Sequence, residues 1–222
     1  MIKDLVNLAG DKIPIICNQE NFILNENSYR VNQTLPDFHV FFNPAVKKWI
    51  QGRAKNGMFI AVPNAIKEKV KLVSSEHMRV QAISIEIKDE SRILIINSYF
   101  PSDPRTIEFD DSELIDTLSE IRNIIENNNS SSYILCGDIN CDFVRNSGHV
   151  RTVRDFISDL CMVSAWDSFE NDFTAVYDRE GVTYTSKIDH FFWNNSLTSS
   201  VEDCRSLHLL ENTSDHLSLI HI

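Results

Sequence analysis

The run Arg92-Ile93-Leu94-Ile95-Ile96-Asn97-Ser98-Tyr99 is apolar on both faces until its last three residues. A strand of that kind must be covered on both sides, which demands a layered structure with a sheet at its centre. Its C-terminal edge then carries Asn97 and Tyr99 out of the apolar interior. The preceding run, Val80 to Ile87, alternates, with Ile83, Ile85 and Ile87 on one face and Ser84 and Glu86 on the other, and predicts a strand with one wet side. The polar Lys88-Asp89-Glu90-Ser91 joins the two runs as an antiparallel hairpin.

Three earlier runs also read as strands: Ile13 to Cys17, Phe38 to Phe42, and Gly57 to Val62, the last stopped by Pro63. Then the period changes. Leu114, Ile115, Leu118, Ile121, Ile124 and Ile125 recur at helical spacing, Asp110 and Glu113 suit a capping arrangement at the start, and Asn127 to Ser131 ends the helix. A strand at Tyr133 to Cys136 runs into Gly137-Asp138-Ile139-Asn140. A second amphipathic helix follows, with Val150, Val153, Phe156, Ile157 and Leu160 inward. Strands at Ile188 to Trp193, near Val201 to Leu207 and at Leu217 to Ile222 close the chain, with Pro44 to Asn56 and Asn171 to Thr185 left as loops. Strands with helices interposed predict an α/β (α+β) fold in which a two-layer sheet core is flanked by helices.

At 222 residues, 42% of them hydrophobic, the chain can bury a sizeable core as one domain over 1–222. No apolar run approaches the roughly 20 residues of a membrane span, and Met1 to Leu5 lacks the pattern of a signal peptide. The sequence therefore predicts an intracellular protein, nuclear or cytoplasmic and not secreted, with no membrane partner. Five cysteines (Cys17, Cys136, Cys141, Cys161, Cys204) show no zinc-like spacing and read as reduced, mostly core residues. The net charge of −11 argues against broad phosphate neutralisation. Positive residues cluster only at Lys47, Lys48, Arg53 and Lys55, and at Arg145, Arg151 and Arg154, where a solvated surface is the better account of them.

Four short strings set carboxylates beside amides or imidazoles at the ends of apolar runs: Gln19-Glu20, Gly137-Asp138-Ile139-Asn140, Ser186-Lys187-Ile188-Asp189-His190 and Ser214-Asp215-His216. Phosphodiester hydrolysis needs a hard cation, a group that positions or deprotonates water, and donors for the charge that develops on phosphorus. Magnesium binds through one or two carboxylates and keeps several waters, so its ligands need not cluster in sequence. Taken singly, Glu20 also fits an exposed turn, Asp138 a simple Gly-Asp turn and Tyr99 an aromatic filling the sheet edge. Asp189, between Ile188 and Phe191-Phe192-Trp193, must find a partner if buried, and His216 is the best on offer.

These strings, with Lys55-Asn56-Gly57-Met58-Phe59-Ile60-Ala61-Val62 and Asn97-Ser98-Tyr99-Phe100-Pro101, occur in the order that resembles the endonuclease/exonuclease/phosphatase superfamily, the fold of pancreatic deoxyribonuclease and apurinic repair endonucleases. Within it, Ser186 to His190 and the preceding Phe173-Thr174 look most like the endonuclease domain of non-LTR retrotransposons. The resemblance implies a four-layered α/β sandwich, with two mixed, mainly antiparallel sheets face to face and helices outside. It implies a magnesium-dependent monomer, with manganese as a substitute, that nicks DNA to prime reverse transcription; an intact element would carry a reverse transcriptase domain.

It also implies roles. Glu20 holds the metal with Asp215 as second ligand or neighbour, Asp138 positions the attacking water beside Asn140, and Asp189 orients His216. Tyr99, Ser186 and His190 are the residues expected to contact or support the phosphate. Relative to this pattern, Met1 to Leu8 reads as the first helix, so the first strand and its asparagine are expected to be missing, and the chain ends abruptly after His216. Two other functions stay open: a catalytically impaired remnant of an element or a binding module, and a phosphatase of a small phosphoester such as an inositol phosphate.

Overall fold

The computed structural model describes residues 14–47, 52, 54–73, 77–87, 91–103, 111–128, 130–169, 173–207, 216 and 218–221. Among them the strands are β1 (Ile16–Asn18), β2 (Phe38–Asn43), β3 (Met58–Pro63), β4 (Val70–Val73), β5 (Val80–Glu86), β6 (Arg92–Tyr99), β7 (Ser132–Asp138), β8 (Met162–Ser164), β9 (Ala175–Arg179), β10 (Val182–Ser186), β11 (Asp189–Asn194), β12 (Cys204–Leu207) and β13 (Ser218–His221). The α-helices are α1 (Tyr29–Thr34), α2 (Ser112–Asn127), α3 (Gly148–Asp159) and α4 (Ala165–Ser168).

Two sheets carry the fold. The smaller is antiparallel, in the order β1-β3-β2. The larger runs β4-β5-β6-β7-β11-β8 and is antiparallel except between β6 and β7. That parallel pair needs a crossover, and α2 supplies it. Ile60 and Val62 of β3 pack against Val70, Ile83, Ile95 and Cys136, so the two sheets meet face to face. On the far side of the larger sheet, Leu94, Ile96 and Leu135 meet Leu114, Leu118 and Ile121 of α2 and Val150, Val153 and Phe156 of α3. On the far side of the smaller one, Phe59 and Ala61 meet Val31 of α1. Helix, sheet, sheet and helix make the expected four-layered α/β sandwich.

Period and burial explain most of these elements, and the exceptions have physical causes. β5 is buried on both faces from Val80 to Ile83, not half-wet throughout, because α2 and α3 cover Val80 and Ala82 while Ile83 faces the smaller sheet; only its far end reaches water. α2 starts after Asp111, whose side chain makes no capping hydrogen bond, and Asp110 lies outside the described residues. Glu113 accepts instead from Arg79 Nε at 2.7 Å. α3 has a true cap, Ser147 Oγ accepting from Val150 N at 3.1 Å.

Much of the stretch from Asn171 to Thr185, expected to be a loop, is a β-hairpin. β9 and β10 turn on Glu180 and Gly181, both with positive φ (54° and 79°), the backbone of a two-residue type I′ connection. All five cysteines are free, and Cys161 is exposed rather than core. Among the described residues no helix is long and apolar enough to cross a membrane.

Candidate active site

The larger sheet brings three chemistry-bearing residues into one row. The parallel register sets Tyr99, last in β6, beside Asp138, last in β7; the antiparallel register sets Asp138 opposite Asp189, first in β11. Like charges directly opposite across a sheet repel, so this row needs compensation. Asn140 supplies part of it. Left-handed at φ 51°, a conformation asparagine tolerates, it donates its backbone N–H to Asp138 Oδ1 at 2.9 Å. Its Nδ2 donates to Asp138 Oδ2 at 3.2 Å and to the Phe100 carbonyl at 2.9 Å.

Glu20 comes from the smaller sheet. It leaves β1 at φ 50°, an uncommon conformation for a residue with a side chain and a local strain of the kind that functional sites hold. Its carboxylate neighbours the Tyr99 hydroxyl and raises the proton affinity of that phenol. Beneath it, Gln19 Nε2 donates to Asn97 Oδ1, and Asn97 Nδ2 donates to the carbonyls of Asn18 (3.1 Å) and Phe59 (3.3 Å). This amide network ties the sheets together directly below the site. Gly137 makes the approach possible: at φ 133°, a Cβ there would overlap the Ser98 carbonyl oxygen and lie 3.1 Å from Gln19 Nε2.

His216 completes the cluster. Its Nδ1 lies 3.1 Å and 3.2 Å from the two Asp189 oxygens, and its Nε2 faces Asp138 Oδ2 at 4.0 Å. The histidine is positioned by a backbone bridge to Ala175, the first residue of the hairpin. Asp189 is positioned by Thr174, fully buried, whose Oγ1 accepts from the backbone N–H groups of Ile188 and Asp189, each at 3.0 Å.

Electrostatics make the cluster an unbalanced one. Asp138 is 4% exposed, and burial first, then the neighbouring Asp189 carboxylate and Glu20, push it well above the carboxylate range against the pull of His216 and Asn140. Burial likewise raises the Tyr99 phenol, with the Glu20 carboxylate adding to it, so it stays protonated and a donor. Among the described residues no lysine or arginine pairs with Glu20, Asp138 or Asp189; the only ion-pair partner is His216. Asp138, Asp189 and His216 each bring one ligand atom within 4.8 Å of the others. Carboxylate oxygens lacking a fixed cation suit a hard divalent ion such as magnesium.

Other expected residues fall elsewhere. His190, 1% exposed, points to the helix side of β11, stacked on Phe192 and touching Phe143 and Trp166. Its Nε2 lies 2.7 Å from the Cys141 carbonyl and 3.1 Å from that of Lys187, so it braces the loops behind the site. Strand alternation explains this, since the neighbour of an inward Asp189 must face outward. Ser186 is also buried, its carbonyl accepting from Thr174 N at 2.9 Å, which makes it a support as well. Asp215 lies outside the described residues.

Sequence reasoning passed over Arg79. Its guanidinium lies 4.8 Å from the centre of the Tyr99 ring, and its NH1 donates to the Tyr99 carbonyl at 3.4 Å. Nothing in its local sequence marks it. Thr174 entered only through the resemblance, because an acceptor for two backbone N–H groups leaves no pattern along the chain.

No protein-family model matches this sequence, and no curated protein matches it. Solved structures do. An AP endonuclease from Leishmania major superposes with a TM-score of 0.74 at 16% identity, over 96% of this chain and 79% of its own. An AP endonuclease from Archaeoglobus fulgidus gives 0.70 at 20% identity, over 100% and 92%. The endonuclease domain of TRAS1, a telomere-specific non-LTR retrotransposon, gives 0.68 at 16% identity, over 99% and 90%. The chain has the endonuclease/exonuclease/phosphatase fold. In this fold the acidic cluster sits where β6, β7 and β11 reach the same rim, with Glu20 brought to it from the facing sheet.

Proposed function

We propose that the chain is a magnesium-dependent phosphodiester hydrolase that nicks DNA, in the manner of the endonuclease of a non-LTR retrotransposon, whose nick leaves an end that primes reverse transcription. The observation that carries this reading is the Asp189–His216 contact at 3.1 Å beside a buried Asp138, on a fold whose solved examples include AP endonucleases and the TRAS1 endonuclease domain.

Asp138 in its ionised form accepts a proton from the attacking water, and its raised proton affinity strengthens it as a base, while Asn140 fixes the orientation of its carboxylate. Asp189 holds the His216 ring so that Nε2 faces the phosphoryl oxygens and can hydrogen-bond to them. The Tyr99 hydroxyl, kept protonated by burial and by the Glu20 carboxylate beside it, donates its one proton to the incoming phosphate. Glu20, with Asp215, holds the cation, which when bound neutralises charge on the phosphate.

Relaxation of a supercoiled plasmid in magnesium tests the reading. Asp138→Ala and His216→Ala remove the nicking, and a chelator does the same. A wild-type chain that leaves the plasmid intact at saturating magnesium refutes it. The sequence pI of about 5.0 supports one rival, a phosphatase of a small phosphoester. Release of phosphate from inositol phosphates without nicking decides for that rival.

A further inference from the structure

The loop after Asn140 combines features that the nicking chemistry leaves unused. It forms a tight turn in which Asp142 Oδ1 accepts from Val144 N at 3.1 Å and the Asp142 carbonyl accepts from Arg145 N at 2.9 Å. The turn is braced from behind. His190 holds the Cys141 carbonyl at 2.7 Å, the Phe143 ring lies 4.8 Å from the His190 ring, and Arg154 donates to the Phe143 carbonyl at 2.9 Å.

At the tip of this braced turn, Val144 is 90% exposed. A single exposed apolar residue is ordinary, but this one stands among Arg145, Arg151 and Arg154 on a chain of net charge −11. Arg151 donates to Asn146 Oδ1 at 3.3 Å, which aligns it along the same loop. Val144 is four positions beyond Asn140, so chain reach places it within about 14 Å of that residue at the rim of the acidic cluster, roughly four base steps of a duplex. An acidic protein that acts on DNA needs local positive charge beside its site, and this loop supplies it.

Resting on the DNA reading above, we infer that the 141–147 loop and the first turn of α3 grip the duplex flanking the scissile phosphate. Arg145 and Arg151 neutralise backbone phosphates, and Val144 packs against sugar and base edges in the groove. The bracing by His190, Phe143 and Arg154 keeps the tip from folding back when it is loaded.

Fluorescence anisotropy with a short labelled DNA duplex, in chelator and over a salt series, tests the grip apart from catalysis. The Arg145→Gln/Arg151→Gln double variant binds about tenfold more weakly, and its slope of log affinity against log salt is shallower by about 2, near 0.9 per lost phosphate contact. Val144→Ser binds several-fold more weakly with the slope unchanged. Unchanged affinity and slope in the double variant overturn the grip, and unchanged affinity in Val144→Ser overturns the apolar contact.

Hydrolysis of bis(4-nitrophenyl) phosphate, too small to reach the loop, separates this from the nuclease reading. Both variants keep the wild-type rate on it. A wild-type chain inert toward this diester and toward plasmid refutes the nuclease reading, while the anisotropy still judges the grip.

Discussion

Replacing Asp138 with asparagine tests the electrostatic core of the site. The carboxyl is 4% exposed, lies opposite Asp189, and is pushed from 3.8 up to about 8, first by burial and then by Asp189. A folded-state value above the unfolded one contributes stability in full below about pH 4 and loses it as pH rises toward about 8. At 1.36 kcal/mol per pH unit this interval sets a ceiling of about 6 kcal/mol.

Water and counter-ions drawn into the cleft relieve part of that cost, and about 2 kcal/mol is the working figure. The amide introduced by Asp138→Asn keeps an acceptor for Asn140 N and never ionises. The variant's advantage over wild type in chelator therefore grows between pH 5 and pH 8 by about 4–8 °C in Tm. Circular-dichroism melts at both values measure it. An advantage independent of pH, or a variant less stable than wild type at pH 8, refutes the argument. The same variant loses nicking, so stability and function diverge at one atom.

Magnesium raises the wild-type Tm more at pH 8 than at pH 5, because a cation competes with the proton held on the cluster; equal shifts at the two values in the same melts contradict this. Gly137→Ala destabilises by about 3 kcal/mol or more, because the new Cβ meets the Ser98 carbonyl at φ 133°; urea unfolding with no change in midpoint rules the clash out. Thr174→Val removes the acceptor for Ile188 N and Asp189 N and costs about 1–3 kcal/mol, read from the same urea curves. Asp189→Asn lowers the nicking rate by about a hundredfold or more by releasing the His216 ring; a rate within threefold of wild type shows that the contact is idle.

The layered core was legible because burial and period coincide in it. The doubly apolar β6 and the helical stripes of α2 and α3 each have one solution. What escaped was what neighbours decide. β4 and β8 are too short for a period, and β5 reads as half-wet until α2 and α3 lie over Val80 and Ala82. The hairpin of β9 and β10 hides because its side chains from Val182 to Thr185 are exposed, leaving only Glu180-Gly181 as a turn signal.

At the site, Asp138, Asn140, Asp189 and His216 come together from separated strings, since a carboxylate at a strand end is visible in sequence. The supports are not. Thr174 and Arg79 act through a hydroxyl aimed at backbone N–H groups and a guanidinium laid over a ring, and neither geometry has a spacing.

The hairpin and the acidic cluster share a root. Thr174, one residue before β9, fixes Asp189; Ala175, the first residue of β9, bridges to His216; and Ser186, the last of β10, holds Thr174. The hairpin and the aspartate–histidine pair thus rest on the same three residues. The arm and the pair therefore cannot be altered independently at that base: a substitution that loosens Thr174 loosens both.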